Sequence, residues 1–327
     1  MVTHVPGIPV SQERLLDRFA EEPMKRDVTF DSEGAEVSGW YYSPDTAPPW
    51  PLVVMAHGFS ATKEMVADRY AEVFVEAGLA VLLYDHRGFG ASEGEPRQQI
   101  NPWMQARGYR DAISFAATLD DVDSSRIAVW GDSYSSGAAL VVAALDDRVA
   151  ALVVQVPALG EEVPPDDPDG SLRDAIEETV RSGSIEPTAD EIRGPMPVVW
   201  DDQERRSSAL KPETAFRWFT GYGTRSDTNW TNEVTLVRPE HPVQWYPGLC
   251  ASDVSCPALF VVSPDDEMVR SSPAVARDAY ERLVGPKEWV EIPGGHFGLL
   301  YYPSETFDRA SSAQVRFLTE TLLSEDG

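Results

Sequence analysis

Ser133, Asp265 or Asp266, and His296 are the residues whose types and order could do chemistry. A serine hydroxyl is a poor nucleophile until a base takes its proton, and histidine is the base of suitable pKa. A carboxylate behind the imidazole holds its tautomer and stabilises the imidazolium. Such a relay attacks acyl carbonyls. Ser133 stands in Trp130-Gly131-Asp132-Ser133-Tyr134-Ser135-Ser136-Gly137. The apolar run from Ile127 to Trp130 reads as a short buried strand, and Ala138-Ala139-Leu140-Val141-Val142-Ala143-Ala144-Leu145 reads as a helix. A serine on the tight turn between them takes strained backbone angles at a helix N-terminus that favours negative charge. Gly131 meets the need for a small residue two positions before it. Two positions after, where glycine is usual, stands Ser135. Ser135 and Ser136 are weaker nucleophile candidates, because neither has a glycine two positions before it. Taken alone, the stretch also fits a small-residue turn with no chemistry.

The partners argue against that plainer reading. Of the histidines His4, His57, His86, His241 and His296, only His296 follows the last acid-bearing strand, in the loop Pro293-Gly294-Gly295-His296-Phe297-Gly298. The acid lies in Ser263-Pro264-Asp265-Asp266-Glu267. Asp266 is favoured over Asp265, because the chain then turns into the next loop. Asp265 is expected to be a turn residue and Glu267 a solvated one. An oxyanion needs two N–H donors. The expected pair is the main chain of Tyr134, after the nucleophile, and of Phe59, in His57-Gly58-Phe59-Ser60. His57 is expected to order that loop rather than act as a base, and Arg87 to form a structural ion pair.

These residues need a scaffold that gathers strand ends. Residues 52–56, 80–84, 149–154 and 257–262 are continuous apolar runs, as in strands buried on both faces. Helical spacing over residues 63–77, 102–119, 272–283 and 305–323 alternates with them. The alternation predicts a parallel sheet with crossover helices. In such a sheet reactive groups collect at the carboxyl ends of the strands. Residues 25–30 and 36–42 alternate across Asp31-Ser32-Glu33-Gly34 and predict an edge hairpin. A short amphipathic helix is expected over residues 12–21. The rhythm breaks between residues 157 and 251, with acidic and Pro-rich pieces, a helix over 172–181, and scattered tryptophans. The expected organisation is a core of 1–156 and 252–327 with a cap insertion of 157–251. An apolar substrate pocket under that cap would be lined by Trp103, Trp218, Trp230 and Trp245; the alternative is that these rings only pack the cap onto the core.

The chain has 327 residues, ample for a large core, and a net charge of −27. Nucleic-acid partners and anionic membrane surfaces need a positive footprint and are disfavoured. No run approaches the ~18 apolar residues of a membrane span. The first ten residues lack a basic segment followed by an apolar run, so no signal peptide is expected. Two cysteines, Cys250 and Cys256, suit a reducing compartment, though a pairing stays open. The expected location is the cytoplasm. The oligomeric state is open, a homodimer included.

Taken together, His57-Gly58-Phe59-Ser60-Ala61-Thr62-Lys63-Glu64, Tyr84-Asp85-His86-Arg87-Gly88-Phe89-Gly90, the turn from Gly131 to Gly137, and Pro293-Gly294-Gly295-His296-Phe297 resemble the α/β-hydrolase superfamily. The likeness runs from about residue 25 to 323. Within the superfamily the chain is similar to dienelactone-hydrolase-like and peptidase S15-like serine hydrolases. In particular it resembles a bacterial and fungal group that includes polyketide acyltransferases, and Trp230-Thr231-Asn232-Glu233-Val234-Thr235-Leu236 is similar to that group's insertion. The resemblance implies an α/β fold with a mostly parallel sheet and a helical cap. It carries the nucleophile to Ser133, the acid to Asp266 and the base to His296. It implies acyl transfer from a small-molecule ester or thioester to water, with no cofactor and no metal. Transfer to an alcohol is the alternative, and a non-catalytic binding protein is an alternative of another class. Two positions depart from the pattern. Asp132 sets a carboxylate beside the nucleophile, and Ser135 replaces glycine.

Overall fold

The computed structural model describes residues 24–324. The helix expected over residues 12–21 lies outside them. An eight-stranded sheet forms the middle layer, in the order β1-β2-β4-β3-β6-β7-β10-β11. Its strands are β1 Met24–Ser32, β2 Ala35–Ser43, β3 Trp50–Ala56, β4 Ala80–Tyr84, β6 Val122–Asp132, β7 Val149–Gln155, β10 Ala258–Val262 and β11 Lys287–Glu291. The first pair is a hairpin in register Ser32↔Ala35, and β2 runs antiparallel to β4. The hairpin turn places Glu33 and Gly34 at φ 50° and 73°. That is the backbone of a two-residue turn matched to strand twist. From β4 to β11 every pairing is parallel.

The apolar runs become the central strands because both of their faces are covered. Leu52 to Ala56, Ala80 to Leu83 and Ile127 to Trp130 are fully buried. On one face lie α2 (Pro102–Ala116), α3 (Ser135–Leu145) and α6 (Pro273–Arg282). On the other lie α1 (Ala67–Glu76) and α7 (Glu305–Leu322). Helix α2 starts where the sequence says it should. Asn101 accepts the N–H of Trp103 at 3.0 Å, and Pro102 takes the first position. Helix α1 begins four residues later than its apolar spacing suggests. Val66 sits at φ 77°, and residues 63–66 form turns instead.

Between β7 and β10 the chain crosses the carboxyl ends of the strands. This stretch carries α4 (Ser171–Arg181) and α5 (Glu213–Gly223). It also carries a small sheet that the sequence pattern does not announce. There β9 (Val234–Val237) pairs with β8 (Ile192–Met196) and with β5 (Gln99–Ile100), a strand from the core loop after β4. Trp218 and Phe219 of α5 pack on Phe297 of the core. Cys250 and Cys256 are both free thiols. Among the described residues no helix is long and apolar enough to cross a membrane.

Candidate active site

The elbow is built by what cannot fit. A Cβ at Gly131 would lie 2.8 Å from the backbone of Ser135 and Ser136, so no side chain is possible there. The turn puts Ser133 at φ 50°, in the left-handed region that costs a non-glycine residue energy. The Ser133 N–H donates to the Gln155 carbonyl of β7 at 2.8 Å. Ser135, the departure from glycine, is fully buried. Its hydroxyl bonds the Ala56 carbonyl at the end of β3 (3.0 Å) and the Asp132 carbonyl (2.9 Å), and accepts the Asp132 N–H (3.0 Å). The substitution thus ties the ends of two neighbouring strands beneath the turn.

Three residues from three strand ends meet here. The Ser133 hydroxyl lies 2.8 Å from His296 Nε2, and His296 Nδ1 lies 2.7 Å from Asp266 Oδ2. One neutral tautomer satisfies both contacts: Nδ1–H donates to the carboxylate, and Nε2 accepts from the hydroxyl. The Asp266 side chain is 1% exposed, and its other oxygen accepts the Met268 N–H at 2.9 Å. Asp265 has a different role. Its carboxylate accepts the Ser263 hydroxyl and the Gly294 N–H, so it ties the loop after β10 to the loop after β11. Those bonds hold its pKa below the usual carboxylate range. Glu267 is not the solvated residue that its position suggests. It accepts the His296 N–H at 2.7 Å and the Thr214 hydroxyl of α5 at 2.5 Å. One half-buried carboxylate therefore joins the histidine loop to α5.

The loop after β3 crosses directly above Ser133. A Cβ at Gly58 would come within 3.0 Å of the Ser133 side chain. The main-chain N–H groups of Phe59 and Tyr134 have no acceptor among the described residues, and both residues line the cavity. His57 holds this loop from below. Its Nδ1 bonds the Gly58 carbonyl at 2.9 Å, and its Nε2 accepts the His86 N–H at 3.2 Å. Burial lowers its pKa, so the ring is neutral. Lys63 and Asp85 are buried beside it and paired at 2.5 Å. Arg87 makes no ion pair among the described residues. Its guanidinium donates to the Glu95 carbonyl instead, which corrects the expected pairing.

A cavity of about 920 Å³ opens over Ser133 and His296. This is within the size range of sites for small organic ligands. The four tryptophans divide. Trp218 and Trp245 line it. Trp103 and Trp230 do not, and their expected substrate contact is corrected. Trp103 is 2% exposed on α2 and packs edge-on behind Trp245 at 4.7 Å. Trp230 packs on Phe219 of α5 at 5.6 Å. Large rings serve cores and pockets equally well, and the sequence pattern has no means of separating the two.

Asp132 also faces the cavity. Burial raises its pKa from 3.8 to about 7, with the His296 ring pulling the other way. Between those values the folded state keeps a proton that the unfolded chain has released. The folded state therefore loses stability as pH rises through that window. Asp132→Asn removes the cost of the buried charge. It is expected to stabilise the protein at pH 8 by on the order of 1–4 kcal/mol and much less at pH 5. Thermal unfolding at both pH values checks this; equal shifts would contradict it.

The chain is similar along most of its length to several known proteins. Residues 33–174 match the X-Pro dipeptidyl-peptidase (S15) family. The chain is 30% identical over 310 residues to the quorum-quenching protein AidA of Acinetobacter baumannii, covering 93% of this chain and 96% of that one. It is 30% identical over 289 residues to the thiohydrolase aneE of Aspergillus aculeatus, covering 83% and 86%. To the polyketide transferase af380 of Aspergillus fumigatus it is 28% identical over 303 residues, covering 91% and 99%. Among solved structures, the α/β hydrolase GrgF from Penicillium sp. sh18 superposes with a TM-score of 0.70 at 25% identity, covering 92% of this chain and 100% of that one.

Proposed function

The chain belongs to the α/β-hydrolase superfamily, in the group it shares with AidA and the fungal thiohydrolases, and on that premise we propose that it cleaves carboxylic esters or thioesters through an acyl-enzyme on Ser133. The observation that carries this reading is the continuous relay Ser133–His296–Asp266, with contacts of 2.8 and 2.7 Å beneath an open cavity. Ser133 Oγ attacks the acyl carbonyl while His296 Nε2 takes its proton. Asp266 stabilises the imidazolium. The N–H groups of Phe59 and Tyr134 receive the developing oxyanion, since they are uncommitted and belong to the loops that flank the serine. The imidazolium then protonates the leaving group. A water takes the same path in reverse to free the acid.

Residues 157–251 act in this reading as the cap that closes the acyl site, with Trp218 and Trp245 as its aromatic wall. The two free thiols support a cytoplasmic location. A second reading is favoured by the relative named a polyketide transferase: an alcohol in the cavity takes the acyl group in place of water. A fluorophosphonate probe is expected to label Ser133 stoichiometrically in the folded protein. No labelling would return the chain to the class of non-catalytic binders. Turnover of p-nitrophenyl acetate, butyrate and octanoate, with and without added alcohols, separates hydrolase from transferase. Acceleration confined to one alcohol would favour the transferase.

A further inference from the structure

The cavity wall carries charge that the acyl chemistry does not use. In a chain of net charge −27, Arg238 and Arg270 both line the wall. Arg238 follows β9, is exposed, and makes no ion pair or side-chain hydrogen bond among the described residues. Arg270 has its nearest carboxylate, Glu161, at 3.8 Å, too far for a hydrogen bond. Arginines unpaired among the described residues occur elsewhere in the chain, Arg87 among them, and what sets Arg238 and Arg270 apart is that both line the cavity that holds Ser133, a wall they share with Lys211.

Both are mounted on fixed backbone. Glu191 is 4% exposed and anchors the segment that carries Arg238. Its carbonyl accepts the Arg238 N–H at 2.9 Å, and its carboxylate accepts the N–H groups of Glu240 at 2.6 Å and His241 at 3.0 Å. Burial opposes that charge, yet the backbone donors hold the Glu191 carboxyl down to about 2. On the other side, the Arg270 carbonyl accepts the Gly160 N–H at 3.1 Å, and Ser271 bridges to Gly160. The Ser271 hydroxyl is buried at the cavity wall with no partner among the described residues. Both guanidinium groups act on the phenol of Tyr134, the residue next to Ser133: burial raises its pKa, and Arg270 and Arg238 pull against that. They are thus within electrostatic reach of the reacting end. The carboxylates that share the cavity are Asp132, Glu161, Glu162 and Glu240.

We propose that Arg238 and Arg270 form a subsite for an oxyanion, carboxylate or phosphate, which the acyl substrate carries away from its reacting carbonyl. Guanidinium binds both groups through paired N–H donors, and rigid mounting reduces the entropy lost on binding. The negative field of the whole chain works against such a ligand at long range, so recognition must come from direct contact. The inference rests on the ester or thioester reading of the site and names the substrate class within it.

The test compares matched substrates. One arm uses the p-nitrophenyl half-ester of adipic acid against its neutral methyl ester. The other uses an acyl thioester of 4′-phosphopantetheine against that of pantetheine. In the wild type the anionic member of at least one pair is expected to have the higher kcat/KM. Arg238→Gln and Arg270→Gln are each expected to lower that anionic-to-neutral ratio by about tenfold or more. The arm that responds identifies whether carboxylate or phosphate is the natural group. Ratios unchanged by both substitutions in both arms overturn the subsite while leaving ester cleavage intact. A second measurement does not need turnover. Adipate or inorganic phosphate is expected to change the tryptophan fluorescence of the Ser133→Ala protein saturably, through Trp245 and Trp218 at the cavity wall. Arg238→Gln is expected to weaken that binding about tenfold. Absence of binding by either anion overturns the subsite. Failure of all esters and of fluorophosphonate labelling sinks the hydrolase reading instead, and the fluorescence result still decides the subsite.

Discussion

Ser133→Ala is expected to lower kcat for p-nitrophenyl esters by about 10⁴-fold or more, with the folded state intact. The expectation follows from the proposed relay, in which the three members act as one unit. His296 can take a proton only from a hydroxyl placed at its Nε2, and the 2.8 Å contact supplies that. Once Oγ is gone, the imidazole has no nucleophile to activate. His296→Ala should therefore cost about as much, and the double variant should fall little below either single one. Multiplied losses would mean that the two residues act independently and that the relay is incorrectly drawn. Asp266→Asn should fall in the same range, because an amide favours the wrong imidazole tautomer. Asp265→Asn is the control that separates the two acids. It touches the loop-to-loop tie at Gly294 rather than the imidazole, so its effect should be on stability first. Circular dichroism and a melting curve for each variant check that the losses belong to chemistry.

The scaffold of this site is readable in the sequence because burial on two faces leaves an unmistakable mark. Leu52 to Ala56 and Ile127 to Trp130 have no polar side chain to expose, so they must be central strands, and Ser133 must follow one of them. The chain order of serine, acid and histidine then fixes which strand ends have to meet. What escapes the sequence is held by contacts rather than by pattern. Strand β8 reads Ile-Arg-Gly-Pro-Met, with no alternation and a proline, and is a strand only because β9 lies beside it. Helix α5 ends in Tyr-Gly and is seated by Trp218 and Phe219 against Phe297, not by its own propensity. Glu267 looks like any surface glutamate until the fold brings Thr214 to one of its oxygens and the His296 N–H to the other. The tryptophans show the same limit from the other side. Trp103 and Trp245 are equally apolar in sequence, and only their placement in the fold decides which of them meets the cavity.

Lys63→Met is expected to destabilise the fold by about 3–5 kcal/mol, the cost of stranding a buried charge. Asp85 is fully buried and accepts the Lys63 ammonium at 2.5 Å, the Lys63 N–H at 2.8 Å and the Ala91 N–H at 3.0 Å. Burial disfavours the ammonium, but Asp85 and Glu64 outweigh it and raise the Lys63 pKa, so Lys63 keeps its charge. Asp85→Asn should cost a similar amount, because the ammonium keeps only Glu64 at 3.2 Å. The double variant Lys63→Met/Asp85→Asn should lose less than the sum of the singles, since Asp85 no longer strands a charge and only Glu64 is left without its cation. Urea unfolding of the four proteins measures that coupling, and simple additivity would refute it. The same pair bears on catalysis. Lys63 lies five residues after Gly58, and His57 links the Gly58 carbonyl to the backbone at His86, next to Asp85. Loosening the pair should let the Phe59 N–H drift from the oxyanion position. In the proposed mechanism that donor acts on charge that exists only in the transition state. Under conditions where the variants remain folded, kcat should therefore fall while KM changes little. A kcat equal to the wild type in folded Lys63→Met protein would show that the ion pair supports the fold alone and that the loop over Ser133 is held by His57 without it.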